Sequence, residues 1–291
     1  MTFYNDWAQF EYSSGGAVSK NYFDECKMVV KQKALTCSSF GDAMKQAINL
    51  LPNNIGVFYS GGFDSEIIVM EMLNNNIIPK LYFIDFDFNY HDKEYAEKFC
   101  SNNNLKLTTI KVDIEHFIKK DIYNYIQYGC NDLATPLNLH CRTLIEDDVN
   151  IVAGVGDPPL FRAISQIIPC LKHDWVVSIS ANSEVARYFW YKKYFPKDVP
   201  LFYRYTPELT AAYLMDPEVV DIVSNERYKL SIKSTKHKIL SKFYNIENRN
   251  KYTGFENLDK ELKEDIIIEL NRLVISKSIE MKYKDFLSTV L

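Results

Sequence analysis

From residue 55 onward, short apolar runs alternate with longer stretches whose apolar positions recur at helical spacing. Ile55-Gly56-Val57-Phe58-Tyr59 predicts a buried strand. Asp64 to Asn74, with Ile67, Ile68, Met70, Met72 and Leu73 apolar, predicts a helix. Lys80 to Asp85 predicts a second strand, and Asp92 to Asn102 a second helix with Asp92 as its N-cap. Lys106 to Val112 alternates as a third strand, and Asn150 to Gly154 forms a fourth. The Asn triplets at 74–76 and 102–104 read as helix-to-strand turns. Strand and helix alternating at this spacing predict right-handed crossovers and an α/β fold, a parallel twisted sheet with helices on both faces.

After Ser183 the pattern becomes mostly helical, with Pro196, Pro200, Pro207 and Pro217 as punctuation at helix starts. Lys260 to Lys284 predicts a charged amphipathic helix whose stripe of Ile266, Leu270, Leu273 and Val274 packs on a core. The first fifty residues lack clear periodicity and read as an extension packed on the sheet. The expected organisation is therefore one continuous unit: an extension (1–50), an α/β core (51–182) and a helical substrate-side subdomain (183–291). In that last part Tyr188, Trp190, Tyr191 and Tyr194 form either a core-facing helix side or a pocket wall. Glu184, Arg187, Arg204 and Glu208 are either surface pairs or polar pocket groups.

Composition narrows the class. The 291 residues include 34 Lys+Arg and 38 Asp+Glu, a net charge of −4, and 47% are hydrophobic, so the chain can close a substantial core and is not a disordered segment. No apolar run reaches the ~18 residues of a membrane helix, and Met1 to Asp6 has neither a basic nor an apolar leader character. A cytoplasmic protein with no membrane partner is expected. The six cysteines never fall in a Cys-x-x-Cys pair and the five histidines have no metal spacing, which predicts free or buried thiols; His140, beside Cys141-Arg142, is the one histidine to watch. Net acidity argues against coating nucleic acid, although Arg227 to Lys251 holds eight basic residues against one Glu.

The chemistry concentrates in Val57-Phe58-Tyr59-Ser60-Gly61-Gly62-Phe63-Asp64-Ser65. A strand runs into a Ser-Gly-Gly turn that opens directly into a helix. The glycines let backbone N–H groups approach an anion, and the helix start adds unpaired amides and the positive dipole end. Ser60 and Ser65 add hydroxyls. This is a phosphate cradle, yet no Walker A loop, because Phe63-Asp64 stands where Lys-Ser/Thr would be required. Asp64 either caps the helix or holds Mg²⁺ between itself and phosphate oxygens.

Ser-Gly-Gly-Phe-Asp-Ser resembles the SGGxDS signature of the PP-loop (N-type ATP pyrophosphatase) superfamily. Further stretches are similar to the synthetase domains of asparagine synthetases and β-lactam synthetases. They are Asn89 to Ala96 after the second strand, Val152 to Asp157 beside an "SGxGxDE" loop, and Pro200-Leu201-Phe202 beside "PFLD". Lys236 to Leu240 and Arg249 to Phe255 lie in the same order as "K-x-x-L-R" and "R-x-K-x-x-F". The resemblance spans residues 50–255. It implies an adenine nucleotide α-hydrolase-like fold, with ATP bound through Ser60, Gly61, Gly62, Asp64 and Ser65 and through the backbone of Ile84 and Asp85. It also implies Mg²⁺ on Asp64 and Asp157, and Lys251 and Lys236 as catalytic cations, with Lys238 an equal choice to Lys236.

Three departures qualify what is implied. Position 2 is Thr, and some fifty residues before the loop are too few for a glutaminase domain. Val155 replaces a Glu of the family loop, and Pro158-Pro159 follow Asp157. The expected activity is that of an AMP-forming ligase that adenylates a small-molecule carboxylate and joins it to an amine or ammonia. The alternatives are a PP-loop enzyme adenylating a nucleobase in tRNA or DNA, and a non-catalytic nucleotide-binding module. A sulfonucleotide reductase is disfavoured because the last cysteine, Cys170, lies far from the end.

Overall fold

The computed structural model describes residues 5–12, 26–36, 38–126, 128, 130, 133–154, 160–162, 175–180, 184–224, 239–245, 254–255, 258 and 278–291. In chain order the elements are β1 (Ala8–Tyr12), β2 (Cys26–Val30), α1 (Phe40–Asn49), β3 (Ile55–Phe58), α2 (Phe63–Asn74), β4 (Lys80–Asp85), α3 (Tyr90–Asn102) and β5 (Leu107–Lys111). Then come α4 (Ile114–His116), a π turn (Phe117–Asp121), α5 (Tyr123–Ile126), α6 (Ala134–Thr143), β6 (Asn150–Ala153), β7 (Leu160–Arg162) and β8 (Trp175–Ser180). The remainder comprises α7 (Ala186–Tyr194), a 3-10 turn (Phe202–Arg204), α8 (Pro207–Leu214), α9 (Pro217–Ser224), β9 (Ser278–Lys282) and α10 (Tyr283–Val290).

The centre is a four-stranded, wholly parallel sheet in the order β5-β4-β3-β6, and the fold is α/β. β3 is buried along its whole length, as expected of a strand covered on both faces. Beyond β6, Val199 continues the ladder: its amide donates to the Ile151 carbonyl (2.8 Å) and its carbonyl accepts from the Ala153 amide (3.0 Å). α2 carries Ile67, Ile68, Val69 and Met72 fully buried, and it packs on β3 and α1. The Asn turns behave as read: Asn76 (φ 58°) and Asn104 (φ 53°) take the left-handed conformation just past α2 and α3, which Asn tolerates better than most residues.

Several expectations are corrected. α3 starts at Tyr90 with Asn89 in the N-cap position, two residues ahead of the predicted start at Asp92. Asn89 is held there by its own side chain, which donates to the Ile84 carbonyl (2.7 Å) and accepts from the Phe86 amide (3.2 Å). The N-terminal region is not without pattern. Phe40, Ala43, Met44, Ala47 and Ile48 are all buried at i, i+3, i+4, i+7 and i+8, making α1 an amphipathic helix capped by the Ser39 hydroxyl. α1 covers α2 and α8, and the indole N–H of Trp7 donates to the Arg204 carbonyl (2.7 Å), so the extension leans on the helical half. Pro207 and Pro217 open helices, whereas Pro196 and Pro200 lie in the passage between α7 and the 3-10 turn.

The predicted helix over 260–284 is replaced at 278–282 by β9, which pairs antiparallel with β8 and through it with β7; residues 260–277, with the predicted stripe, lie outside the described ones. Ser278-Ile279-Glu280-Met281-Lys282 alternates with period two, and the edge of β8 satisfies its backbone. α10 follows, with Phe286 and Val290 buried, and the Ala34 amide donates to the Val290 carbonyl at 2.8 Å. Among the described residues no helix is long and apolar enough to cross a membrane.

Candidate functional site

β3 lies between β4, which follows it in sequence, and β6, which lies on its other side. Chains leaving neighbouring strands in opposite directions open a crevice at their carboxyl ends, where ligands of parallel α/β sheets bind. The Ser60-Gly61-Gly62 turn stands at that crevice. Phe58 pairs with Tyr82 on one side and Ala153 on the other, so Ser60 lies level with Ile84 across from it.

Gly61 has φ 70°, and a β-carbon there would sit 2.2 Å from the Asp92 carbonyl oxygen in the first turn of α3. Only glycine fits, because both the backbone conformation and the space exclude a side chain. Gly62 is the N-cap of α2, and the Glu66 amide closes the first intrahelical bond to its carbonyl (3.1 Å). Two hydroxyls knit the turn. Ser65 Oγ accepts from the Ser60 amide (3.3 Å) and donates to the Gly62 carbonyl (3.1 Å), while Ser60 Oγ accepts from the Gly62 amide (3.3 Å). Ser60 remains exposed and Ser65 is buried. The turn thus leads straight into the start of a twelve-residue helix, whose first amides and positive dipole end face the crevice.

Asp64 sits half-buried in the first turn of α2, and its carbonyl accepts from the Tyr203 hydroxyl at 2.9 Å. Gly154, at the end of β6, lies against the same turn: a β-carbon there would come within 3.2 Å of the Ser65 nitrogen and 3.3 Å of the Asp64 carbonyl carbon. Glycine at 154 lets the end of β6 reach the start of α2. Ser60, Gly61, Gly62, Asp64 and Ser65 are therefore brought together with the head of the loop that follows β6. Asp157, Val155 and Pro158 in that loop lie outside the described residues, as do Lys236, Lys238 and Lys251. Of the eight basic residues between Arg227 and Lys251, the described one is Lys242, which pairs with Asp216 (3.3 Å) and Glu218 (3.5 Å).

Ile84 and Asp85 end β4 at the same edge, with their carbonyls engaged. The Ile84 carbonyl accepts from the Asn89 side-chain amide and the Asp85 carbonyl from the Val112 backbone amide at 2.9 Å. The Asp85 carboxylate is buried and takes Lys93 Nζ at 2.8 Å. Burial alone would raise its pKa, but Lys93, the Asp87 amide and the Lys111 charge outweigh it and hold the carboxyl below its ordinary value. Next to it a cleft of about 750 Å³ opens at the carboxyl ends of β4 and β5, lined by Asp85, Asp87, Phe88, Lys111, Asp113 and His116 among others. Gly254 (φ 82°) and Phe255 close on this corner. A β-carbon on Gly254 would lie 2.7 Å from the Phe88 carbonyl, and Phe255 stacks on Phe86 with centroids 4.8 Å apart.

Two expected results follow. Gly61→Ala forces a left-handed alanine and a clash with Asp92, so urea unfolding should show a loss of about 1–3 kcal/mol, with the turn displaced. The Asp85 carboxyl is depressed in the folded state, so its pairing contributes fully above the unfolded value of about 3.9 and is lost as pH falls through the lower folded value. Asp85→Asn should therefore flatten the decline of the urea midpoint between about pH 5 and about pH 3.

The remaining polar candidates separate cleanly. Glu208 accepts from the Leu35 amide (3.1 Å). Glu184 pairs with Arg204 in the interior. Arg142 Nε meets Asp198 Oδ2 at 2.5 Å, its Nη2 reaches the Val149 carbonyl (3.1 Å), and its guanidinium lies 3.9 Å from the Phe195 ring centroid. Tyr188, Trp190 and Tyr191 are buried, while Tyr194 is exposed. Cys100, Cys130 and Cys141 are buried, and burial pushes the Cys100 thiol up to about 11 and Cys141 up to about 12, far from reactive thiolates. His140 Nδ1 meets the Tyr125 hydroxyl at 3.2 Å, and burial lowers its pKa. Among the described residues no group of His, Cys, Asp and Glu could by itself hold a metal ion.

Sequence reasoning missed Tyr203 and Lys93. Tyr203 leaves no local signal, since its contact with α2 spans well over a hundred residues. Lys93 was readable as a cation one turn into α3, beside the end of β4. The comparisons with known proteins add no identification: no family model matches the chain, and no curated protein matches it.

Proposed function

We propose that the chain is an ATP-dependent, AMP-forming ligase of the PP-loop kind, with an adenine nucleotide α-hydrolase-like core. The observation that carries this reading is the Ser60–Ser65 turn. It couples a left-handed Gly61, glycine N-capping of α2 and two hydroxyls at the point where the order of the parallel strands reverses. Such a turn gathers backbone amides around the β- and γ-phosphates of ATP. The ends of β4 and β6 flank the space where the rest of the nucleotide would lie.

In this reading a carboxylate oxygen of the substrate attacks the α-phosphorus, the bond from that phosphorus to the bridging oxygen breaks, and pyrophosphate leaves into the turn. An amine nitrogen then attacks the acyl carbon, the acyl–oxygen bond to AMP breaks, and the nitrogen gives up its proton to solvent. The products are an amide, AMP and pyrophosphate. Asp64, with Asp157, would hold Mg²⁺, which supplies charge neutralisation to the polyphosphate. The half-buried position of Asp64 beside the turn suits that role. Lys251 and Lys236 are the proposed cations facing the transferring group. The chain's own contribution is positioning: Tyr203 and Gly154 hold the first turn of α2 in place.

Incubation with ATP, Mg²⁺, a panel of carboxylates and hydroxylamine as amine tests the reading. AMP and pyrophosphate should accumulate in equal amounts together with hydroxamate. Release of ADP, or no carboxylate-dependent turnover with any acid, overturns it, and adenylation of tRNA in place of carboxylates would select the nucleobase alternative.

A further inference from the structure

Three arginines are buried among the described residues, Arg142, Arg187 and Arg204. Asp198 serves Arg142 and Glu184 serves Arg204. Arg187, 5% exposed, is left over: among the described residues its Nη2 reaches only the Thr135 hydroxyl (3.3 Å), and Nε and Nη1 have no hydrogen-bond partner. One turn further along the same helix, the wholly buried Tyr191 hydroxyl also has none. A guanidinium cannot shed its proton, and a buried unpaired charge is among the costliest features a fold can carry.

The place of Arg187 is fixed by its neighbours. Arg142 touches Val149 and Asp198, at the amino ends of β6 and of the Val199 segment, and packs on Phe195. Thr135 lies two turns before Arg142 along α6 and Arg187 two turns before Phe195 along α7, each on the order of 10 Å along the helix axis. Glu184, three residues before Arg187, binds Arg204, and Tyr203 beside it binds the first turn of α2. The starts of α6 and α7, each nine residues or longer, add their positive ends.

We propose that Arg187, with the Thr135 and Tyr191 hydroxyls, forms a buried binding site for one carboxylate group of a small organic acid. A monoanion fits best: the site holds a single positive charge, so a doubly charged phosphate would leave one charge uncompensated in the interior. The site uses atoms separate from the nucleotide turn and stands whether or not that turn binds ATP. If both hold, the Glu184–Arg204 pair and the neighbouring Tyr203, which grips Asp64, join the acid site to the turn.

The test is thermal unfolding with acetate, propionate or succinate against chloride at matched ionic strength. The carboxylates should raise the Tm of the parent protein beyond the chloride control. Arg187→Met, relieved of an unpaired charge, should melt at the same or a higher temperature without carboxylate and lose the response; Tyr191→Phe should keep a reduced one. On the unaltered protein, acetate titration should move one buried arginine Nε–H resonance. No carboxylate response, an equal response in Arg187→Met, or an arginine resonance that ignores acetate would overturn the site. Failure of ATP cleavage with these responses intact removes only the nucleotide reading.

Discussion

Asp64→Asn is expected to lower AMP formation by about 100- to 1000-fold, the scale seen when one preorganised electrostatic group is removed from a transition state. The substitution keeps the shape of the side chain and removes its charge. The carbonyl of residue 64, which Tyr203 grips, is untouched, so the first turn of α2 should keep its place. Stability should fall by well under about 1 kcal/mol, the small dipole term of an acidic residue in a first turn. The diagnostic result is thus a large loss of turnover with a near-parental urea midpoint. Equal turnover in the variant would leave Asp64 a helix cap and remove the divalent ion from the proposed site.

Asp198→Ala should cost about 3–5 kcal/mol, because it strands the Arg142 guanidinium in the interior. The pair is 7% and 2% exposed at its two side chains, so water cannot replace the lost partner. Burial pushes the Asp198 carboxyl up to about 6 against the pull of Arg142, which marks how much hydration was given up. The double variant Arg142→Met/Asp198→Leu should recover most of the loss, since an apolar pair of similar volume carries no desolvated charge. Urea unfolding of the three variants checks both statements. The contrast with Arg187 is instructive: removing a partnered arginine's carboxylate is costly, whereas removing an unpartnered arginine should not be.

The parallel sheet was legible because strands covered on both faces read as unbroken apolar runs, and Gly-Gly or Asn turns punctuate them. The conformation of the turn was legible for the same local reason. Gly61 and Gly62 stand next to each other in sequence as in space, and the structure gives Gly61 the left-handed conformation that such a turn needs. α1 was missed although its period is regular, because two of its five buried positions are alanines, which weigh little in a hydrophobic count. β9 was missed for a different reason. Its partner β8 lies about a hundred residues earlier, and only the tertiary approach of that free edge turns Ser278–Lys282 away from helix. Arg187 stood in the sequence as one polar residue among four. What sets it apart is that no carboxylate among the described residues pairs with it, which only tertiary structure reveals.

The β8–β9 pairing also governs when this protein can finish folding. β3, α2, β4, α3, β5 and β6 all lie within the first 154 residues and can dock while the ribosome is still elongating. β8 then waits with an open edge until residues 278–282 emerge, and the hollows that receive Phe286 and Val290 stay uncovered as long. Chaperone dependence should therefore concentrate in the interval after the α/β core is made, and slowing translation of the late codons should lengthen it.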